Sequence, residues 1–190
     1  AYRRQRQMCI RDRGDIIIKD RTGEGVINDE DRTVIGNSIP RFTFGLNLGF
    51  EYKGFDFSCF FQGVGKADGY VTMEAIQPMG INGARKEHYK ESFNPQDPKP
   101  GAYFPRILSS DYNYAYMSHW VQDASYIRLK NLQIGYSFKI KGLNQLRVYA
   151  SGENLFTATK YRTWDPETPV GARGFYPNVA VYSMGVNLNF

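Results

Sequence analysis

Twelve consecutive residues carry the run of side chains best suited to chemistry: Asp20-Arg21-Thr22-Gly23-Glu24-Gly25-Val26-Ile27-Asn28-Asp29-Glu30-Asp31. The spacing follows that of a calcium loop. Its first, third, fifth, seventh, ninth and twelfth positions fall on Asp20, Thr22, Glu24, the Val26 carbonyl, Asn28 and Asp31, with Gly25 at the sharp turn. Calcium is a hard cation that takes about six to eight oxygens, and this spacing wraps them round one point. The run departs from the usual pattern at Thr22, at Glu24 in place of Asp, and at Asp31 in place of a bidentate Glu. It predicts a structural Ca²⁺ pinning a loop. The alternative is a polar turn whose acids face water.

Little else suggests a reaction. His88 and His119 are far apart in loop sequence and form no ligand pattern. Ser, Asp and His at catalytic spacing, GxGxxG and P-loop motifs are all missing, so no enzyme is expected. Cys59 falls on an apolar face and reads as a small hydrophobe. Asp165-Pro166-Glu167 offers two carboxylates, expected to be solvated. The loop aromatics Tyr103, Phe104, Tyr112, Tyr114, Tyr116, Trp120 and Trp164 have two readings. They could stack on sugar rings or meet a partner protein, or they could be an interfacial girdle or loop packing.

The charge excludes a partner class. Net charge is +5 over 190 residues, but residues 1–13 hold five arginines against Asp12 and account for +4 of it. The rest has no basic bias, so no nucleic-acid partner is expected. QRQMCIRDR resembles translated sequencing-adaptor read-through, and residues 1–13 are set apart as an artefact. On that reading, a missing signal peptide says nothing about location. Two cysteines are too few for a disulfide scaffold. No stretch approaches the ~18–20 apolar residues of a membrane-spanning helix. Hydrophobic residues make up 42%, too many for a disordered chain.

The elements that must position these residues are strands. Phe42, Phe44, Leu46, Leu48, Phe50 and Tyr52 alternate with Thr43, Gly45, Asn47, Gly49 and Glu51. Lys53-Gly54 reads as a two-residue hairpin turn, which pairs 52 with 55, 50 with 57, 48 with 59 and 46 with 61. The same alternation marks strands at about 42–52, 55–64, 125–140, 145–156 and 179–190. A change of parity near Lys130-Asn131 predicts a bulge. The turns at 53–54 and 141–144 are short. The connections at about 65–118 and 157–178 are long, with one short helix expected near 83–93.

A soluble β-sandwich would also alternate. Three features favour a transmembrane barrel: pure apolar faces, small and polar opposite faces, and strands of about 10–12 residues where a tilted crossing needs ~9–11. Five strands cannot close a barrel, so the chain is expected to be the C-terminal part of a larger one.

The sequences GEGVINDEDRTVIGNSIPRFTFGLNLGFEYKGFDFSCFFQGVG, YFPRILSS, HWVQDASYIRLKNLQIGYSF, LRVYASGENLFTATKY and VYSMGVNLNF carry a resemblance. Over about 14–190 the chain resembles the late barrel of SusC/RagA-type TonB-dependent outer-membrane transporters. The resemblance implies an all-β, antiparallel transmembrane β-barrel of about 22 strands with an N-terminal plug, of which these are the C-terminal strands. It implies import of oligosaccharide or peptide nutrients, with a SusD-like surface lipoprotein as lid. Energy would come from the TonB complex, which contacts an N-terminal region outside this chain. The implied location is the outer membrane of a Gram-negative, Bacteroidota-like bacterium, with lipid around the barrel. The barrel-assembly machinery would recognise the closing strand and Phe190. The calcium loop would then lie outside the cell. Two alternatives stand beside this: a soluble all-β carbohydrate-binding module with a calcium loop, and a TonB-independent porin.

Overall fold

The computed structural model describes residues 14–71, 73–78, 83–98, 101–107, 111–142, 144–168 and 176–190. The suspected adaptor segment, 1–13, lies outside them. The chain divides into two compact units. One comprises 37–70 and 122–190. The other comprises 71–121 and the residues up to Gly36.

The first unit is a five-stranded antiparallel sheet, built where the sequence alternates. Its strands are β1 (Phe42–Tyr52), β2 (Phe55–Gly65), β5 (Tyr126–Phe138), β6 (Gln145–Thr159) and β7 (Val181–Asn189), side by side in that order. Two short strands, β3 (Asp68–Tyr70) and β4 (Val121–Asp123), form a separate ribbon.

The β1–β2 hairpin has the register that the alternation requires. Tyr52 opposes Phe55, Phe50 opposes Phe57, Leu48 opposes Cys59 and Leu46 opposes Phe61. Lys53 and Gly54 both have positive φ, 50° and 85°, the conformation of a type I′ turn whose twist matches its strands. A Cβ on Gly54 would fall 2.7 Å from the Ser137 carbonyl oxygen, so glycine is needed there for space as well. The bulge falls where parity changes. Phe60 opposes Asn131 and Phe61 opposes Leu129, leaving Lys130 as the extra residue.

Register carries one apolar face across all five strands. Phe50, Phe57, Ile134, Ala150 and Met184 form one row, and Tyr52, Phe55, Tyr136, Val148 and Val186 the next. Among the described residues of this unit nothing covers that face. Phe50 is 55% exposed and Met184 91%. A sandwich would bury such a face against a second sheet at about 10 Å. An 11-residue strand such as β1 extends ~36 Å, or ~26 Å along the normal at a 45° tilt, close to the ~25 Å apolar band of an outer-membrane barrel. No helix among the described residues is long and apolar enough to cross a membrane, which says nothing about crossing by strands.

The second unit gives the long connection a core of its own, more structure than the sequence suggested. Its described residues include two helices, α1 (Met73–Ile76) and α2 (Lys86–Glu91). Trp120, Tyr114, Ile76, His88, Val71 and Asn113 are fully buried. The Trp120 indole N–H donates to the Asn113 carbonyl at 3.0 Å. Asn113 Oδ1 accepts from the Ile16 N–H at 2.9 Å, and its Nδ2 donates to Asp15 at 2.9 Å. The Arg106 fork grips the same carboxylate at 2.8 and 3.0 Å.

Candidate functional site

In the 20–31 loop the two end carboxylates, Asp20 and Asp31, both accept hydrogen bonds from backbone N–H groups of residues 21–25. Asp20 Oδ1 accepts from the Gly23 N–H at 2.6 Å, and Oδ2 from the Gly25 N–H at 2.7 Å. Gly23 and Gly25 have φ of 79° and 80°, a backbone that L side chains rarely adopt. Asp31 Oδ1 accepts from the N–H groups of Arg21 at 2.7 Å and Thr22 at 3.1 Å, and Oδ2 from Asn28 at 3.0 Å. These backbone donors hold the Asp31 carboxyl below the usual carboxylate range, the Asn28 bond contributing most.

Three of the six residues that the spacing picked out lie close together. Thr22 Oγ1 lies 3.3 Å from Asp20 Oδ1 and 3.4 Å from Asp31 Oδ1. Glu24 meets Asn28 instead, its Oε2 accepting from Asn28 Nδ2 at 3.4 Å. Asn28 also caps a 3₁₀ turn, Asp29–Asp31. Val26 is exposed. The donor set, all oxygen and open to solvent, suits a hard cation. Among the described residues no group of three or more His, Cys, Asp or Glu side chains is placed to hold a metal.

The histidines take part in packing within their unit. His88 Nδ1 accepts from the Arg85 N–H at 3.1 Å, so the proton sits on Nε2, which donates to the Ala75 carbonyl at 3.1 Å. Its ring meets Phe104 edge-on at 4.6 Å. Burial pushes the His88 pKa down. His119 stacks on Tyr103 at 5.3 Å, and Tyr103 meets Trp120 edge-on at 5.8 Å. Trp120 and Tyr114 are thus packing residues, whereas Tyr116 is 86% exposed.

The polar sheet face carries ion pairs that sequence reasoning missed. Arg147 Nε on β6 donates to Asp56 Oδ1 on β2 at 2.9 Å, and its Nη2 bonds Oδ2. Asp165 and Glu167, expected to be solvated, are held instead. Arg128 Nη2 binds both Asp165 oxygens at 2.8 Å, and Lys130 Nζ binds Glu167 Oε2 at 2.7 Å. The only sequence signal was parity. Asp56, Arg128 and Arg147 occupy polar-face positions of their strands, next to small partners such as Gly135.

No family model matches the chain. It is 34% identical to TonB-dependent receptor P3 of Formosa agariphila over 94% of its own length and 19% of that protein's. To TonB-dependent receptor SusC of Bacteroides thetaiotaomicron it is 27% identical over 90% of its length and 17% of that protein's. Among solved structures it resembles the RagAB peptide importer in the closed-closed state, with a TM-score of 0.69 and 22% identity over 93% of this chain and 21% of that one. The open-open state gives a TM-score of 0.65 at 24% identity, over 82% of this chain and 18% of that one. The RagAB likeness bears on the fold, and there the sheet has the form of a transporter's barrel wall. The relatives are named as receptors and the solved structures as importers; none is named as an enzyme. The chain spans about a fifth of the length of the curated relatives it matches. It belongs to the SusC/RagA-type TonB-dependent receptors.

Proposed function

We propose that the chain forms part of the wall of a plugged outer-membrane barrel of about 22 strands that imports glycan or peptide nutrients. One observation carries this: the five-stranded sheet is apolar and uncovered on one face, and small, polar and ion-paired on the other. Lipid fits the first face and a wet lumen the second. β1 and β7 each have one neighbour in the sheet. In hydrocarbon their open backbone edges would cost several kcal/mol per unpaired group, so further strands must flank them. An exposed apolar face of this extent argues against a soluble carbohydrate-binding module.

The working complex on this reading includes a SusD-like surface lipoprotein over the lumen, the TonB complex as energy source and the barrel-assembly machinery for insertion. The 20–31 loop holds Ca²⁺ through Asp20, Thr22, Glu24, Asn28, Asp31 and the Val26 carbonyl, tying down an extracellular segment. No step of transport runs through that ion; it fixes loop shape.

The test uses the full-length parent in its own outer membrane. Uptake of labelled oligosaccharides and peptides should stop when TonB is disabled, and a surface lipoprotein should copurify with the barrel. Uptake that persists without TonB would make the parent a porin. A genomic sequence upstream of Gly14 that encodes only a linker, rather than several hundred residues including a plug, would make it a soluble module.

A further inference from the structure

We infer that a cavity on the polar side of the sheet is a subsite for an uncharged sugar ring. The inference rests on the reading of that side as the solute-facing wall. The cavity, about 400 Å³, lies within the sheet unit at the ends of β2 and β5. Gln62 opposes Arg128 and Val64 opposes Tyr126, so Gln62, Val64 and Tyr126 share the polar face, opposite in parity to Phe61, Gly63 and Ile127. Tyr126 and Tyr161 wall the cavity and are nearly buried. Gly69 lets the Tyr161 ring press on bare backbone: a Cβ there would fall 2.7 Å from a ring carbon.

The charges around the cavity decide the class of guest. Glu167 lines it, but Oε2 already accepts from Lys130 Nζ at 2.7 Å and Asn178 Nδ2 at 2.7 Å, and pairs by charge with Arg128 Nη1 at 3.0 Å. The charge of that carboxylate is balanced by Arg128 and Lys130, and its other oxygen, Oε1, is buried with no hydrogen-bond partner. Among the described residues no Lys or Arg lines the cavity, so an anionic guest finds no counter-charge. The other polar lining is two tyrosine walls, the Gln62 amide, Ser38, Thr168 and Asp68, whose Oδ2 accepts the Asn37 N–H at 2.9 Å. An aromatic face takes the C–H side of a pyranose, while amide and carboxylate groups bind its hydroxyls in the ring plane. The volume falls within the ~300–1,000 Å³ of small-molecule sites. A lysine or arginine side chain of a peptide is the rival guest. It would have Asp68 alone as counter-ion, and the Tyr126 ring already carries the Arg128 guanidinium at 5.8 Å.

The purified full-length parent should be probed with neutral oligosaccharides (maltohexaose, laminarihexaose, xylohexaose, fructan oligomers), with sulfated and uronate oligosaccharides, and with Lys- and Arg-containing peptides. Neutral oligosaccharides should be retained. Gln62→Leu should weaken the best of them at least tenfold by calorimetry, and Tyr161→Leu more. If Tyr161→Leu fails to fold, Gln62→Leu decides alone. Retention of only anionic oligosaccharides or peptides, retention of no glycan, or unchanged affinity in Gln62→Leu would overturn the subsite. TonB-dependent uptake is scored separately. Uptake that needs TonB together with unchanged affinity in Gln62→Leu removes the subsite and leaves the importer. Uptake that ignores TonB removes the importer.

Discussion

Asp56 on β2 and Arg147 on β6 are bonded across the intervening strand β5, directly over Gly135. A Cβ on Gly135 would lie 2.5 Å from Asp56 Oδ1 and 2.8 Å from Arg147 Nη2. The missing side chain is therefore what lets three strands share one ion pair. Both partners are about one-fifth exposed, between the surface and buried cases. Asp56→Ala and Arg147→Ala are each expected to cost about 1–3 kcal/mol. The double variant should cost clearly less than the two added together. Gly135→Val should mimic loss of the pair. Unfolding of the full-length parent, followed by heat-modifiable gel mobility, measures all four; additive single effects would mean that the two side chains do not interact.

The apolar face should reject charge. Leu48→Arg is expected to destabilise the parent by ~2–4 kcal/mol if it lies near the bilayer midplane. Asn47→Arg, on the other face, should be milder. Equal tolerance at the two positions would count against the orientation of β1.

The strands are legible in the sequence because their signals are local. Period-two alternation, the Lys53-Gly54 turn and the parity change at Lys130 each lie within a few residues. The Asp56–Arg147 pair has no such signal: its partners are 91 positions apart. Asp165 and Glu167 looked like solvated loop acids because Arg128 and Lys130 are 37 positions away. The core around Trp120 was also hidden, since Asn113 and Asp15 build it through single side chains rather than a periodic face. In the 20–31 loop the spacing was legible, but not that Glu24 would meet Asn28.

The loop should bind Ca²⁺ in preference to Mg²⁺, having many flexible oxygens rather than a tight octahedron. Asp20→Ala and Asp31→Ala should each weaken binding strongly. Calorimetry on the folded parent that shows no calcium heat would remove the site. Acid should loosen the same loop. The Asp31 pKa is lowered in the fold, so its contribution is present above the ordinary carboxylate value, ~3.9. It is lost as pH falls through the lowered folded value. After correction for intrinsic rates, the protection of the Arg21, Thr22 and Asn28 amides should fall over that acidic window and stay flat above it.

His88 gives its unit a second pH response. Its folded pKa is depressed by burial, so the unfolded chain takes up the proton first as pH falls below ~6.5. The packing around α2 should weaken from there downward until the folded pKa is reached. Protonating Nδ1 would also cost the Arg85 N–H its acceptor. Hydrogen exchange over 83–93 should therefore be faster at pH 5 than at pH 7 after correction for intrinsic rates. His88→Phe should abolish the difference. A pH-independent wild type would show that His88 titrates normally.

The orientation of the sheet is tested most directly by spin labels on β1 of the full-length parent in lipid nanodiscs, with Cys59 and every other native cysteine replaced by Ser. Labels at Leu46, Leu48 and Phe50 should be relaxed by oxygen and shielded from a water-soluble nickel chelate. Labels at Asn47 and Glu51 should show the reverse. Alternation with a period of two places one face in lipid and the other in water. Equal nickel accessibility along the whole strand would contradict a membrane wall.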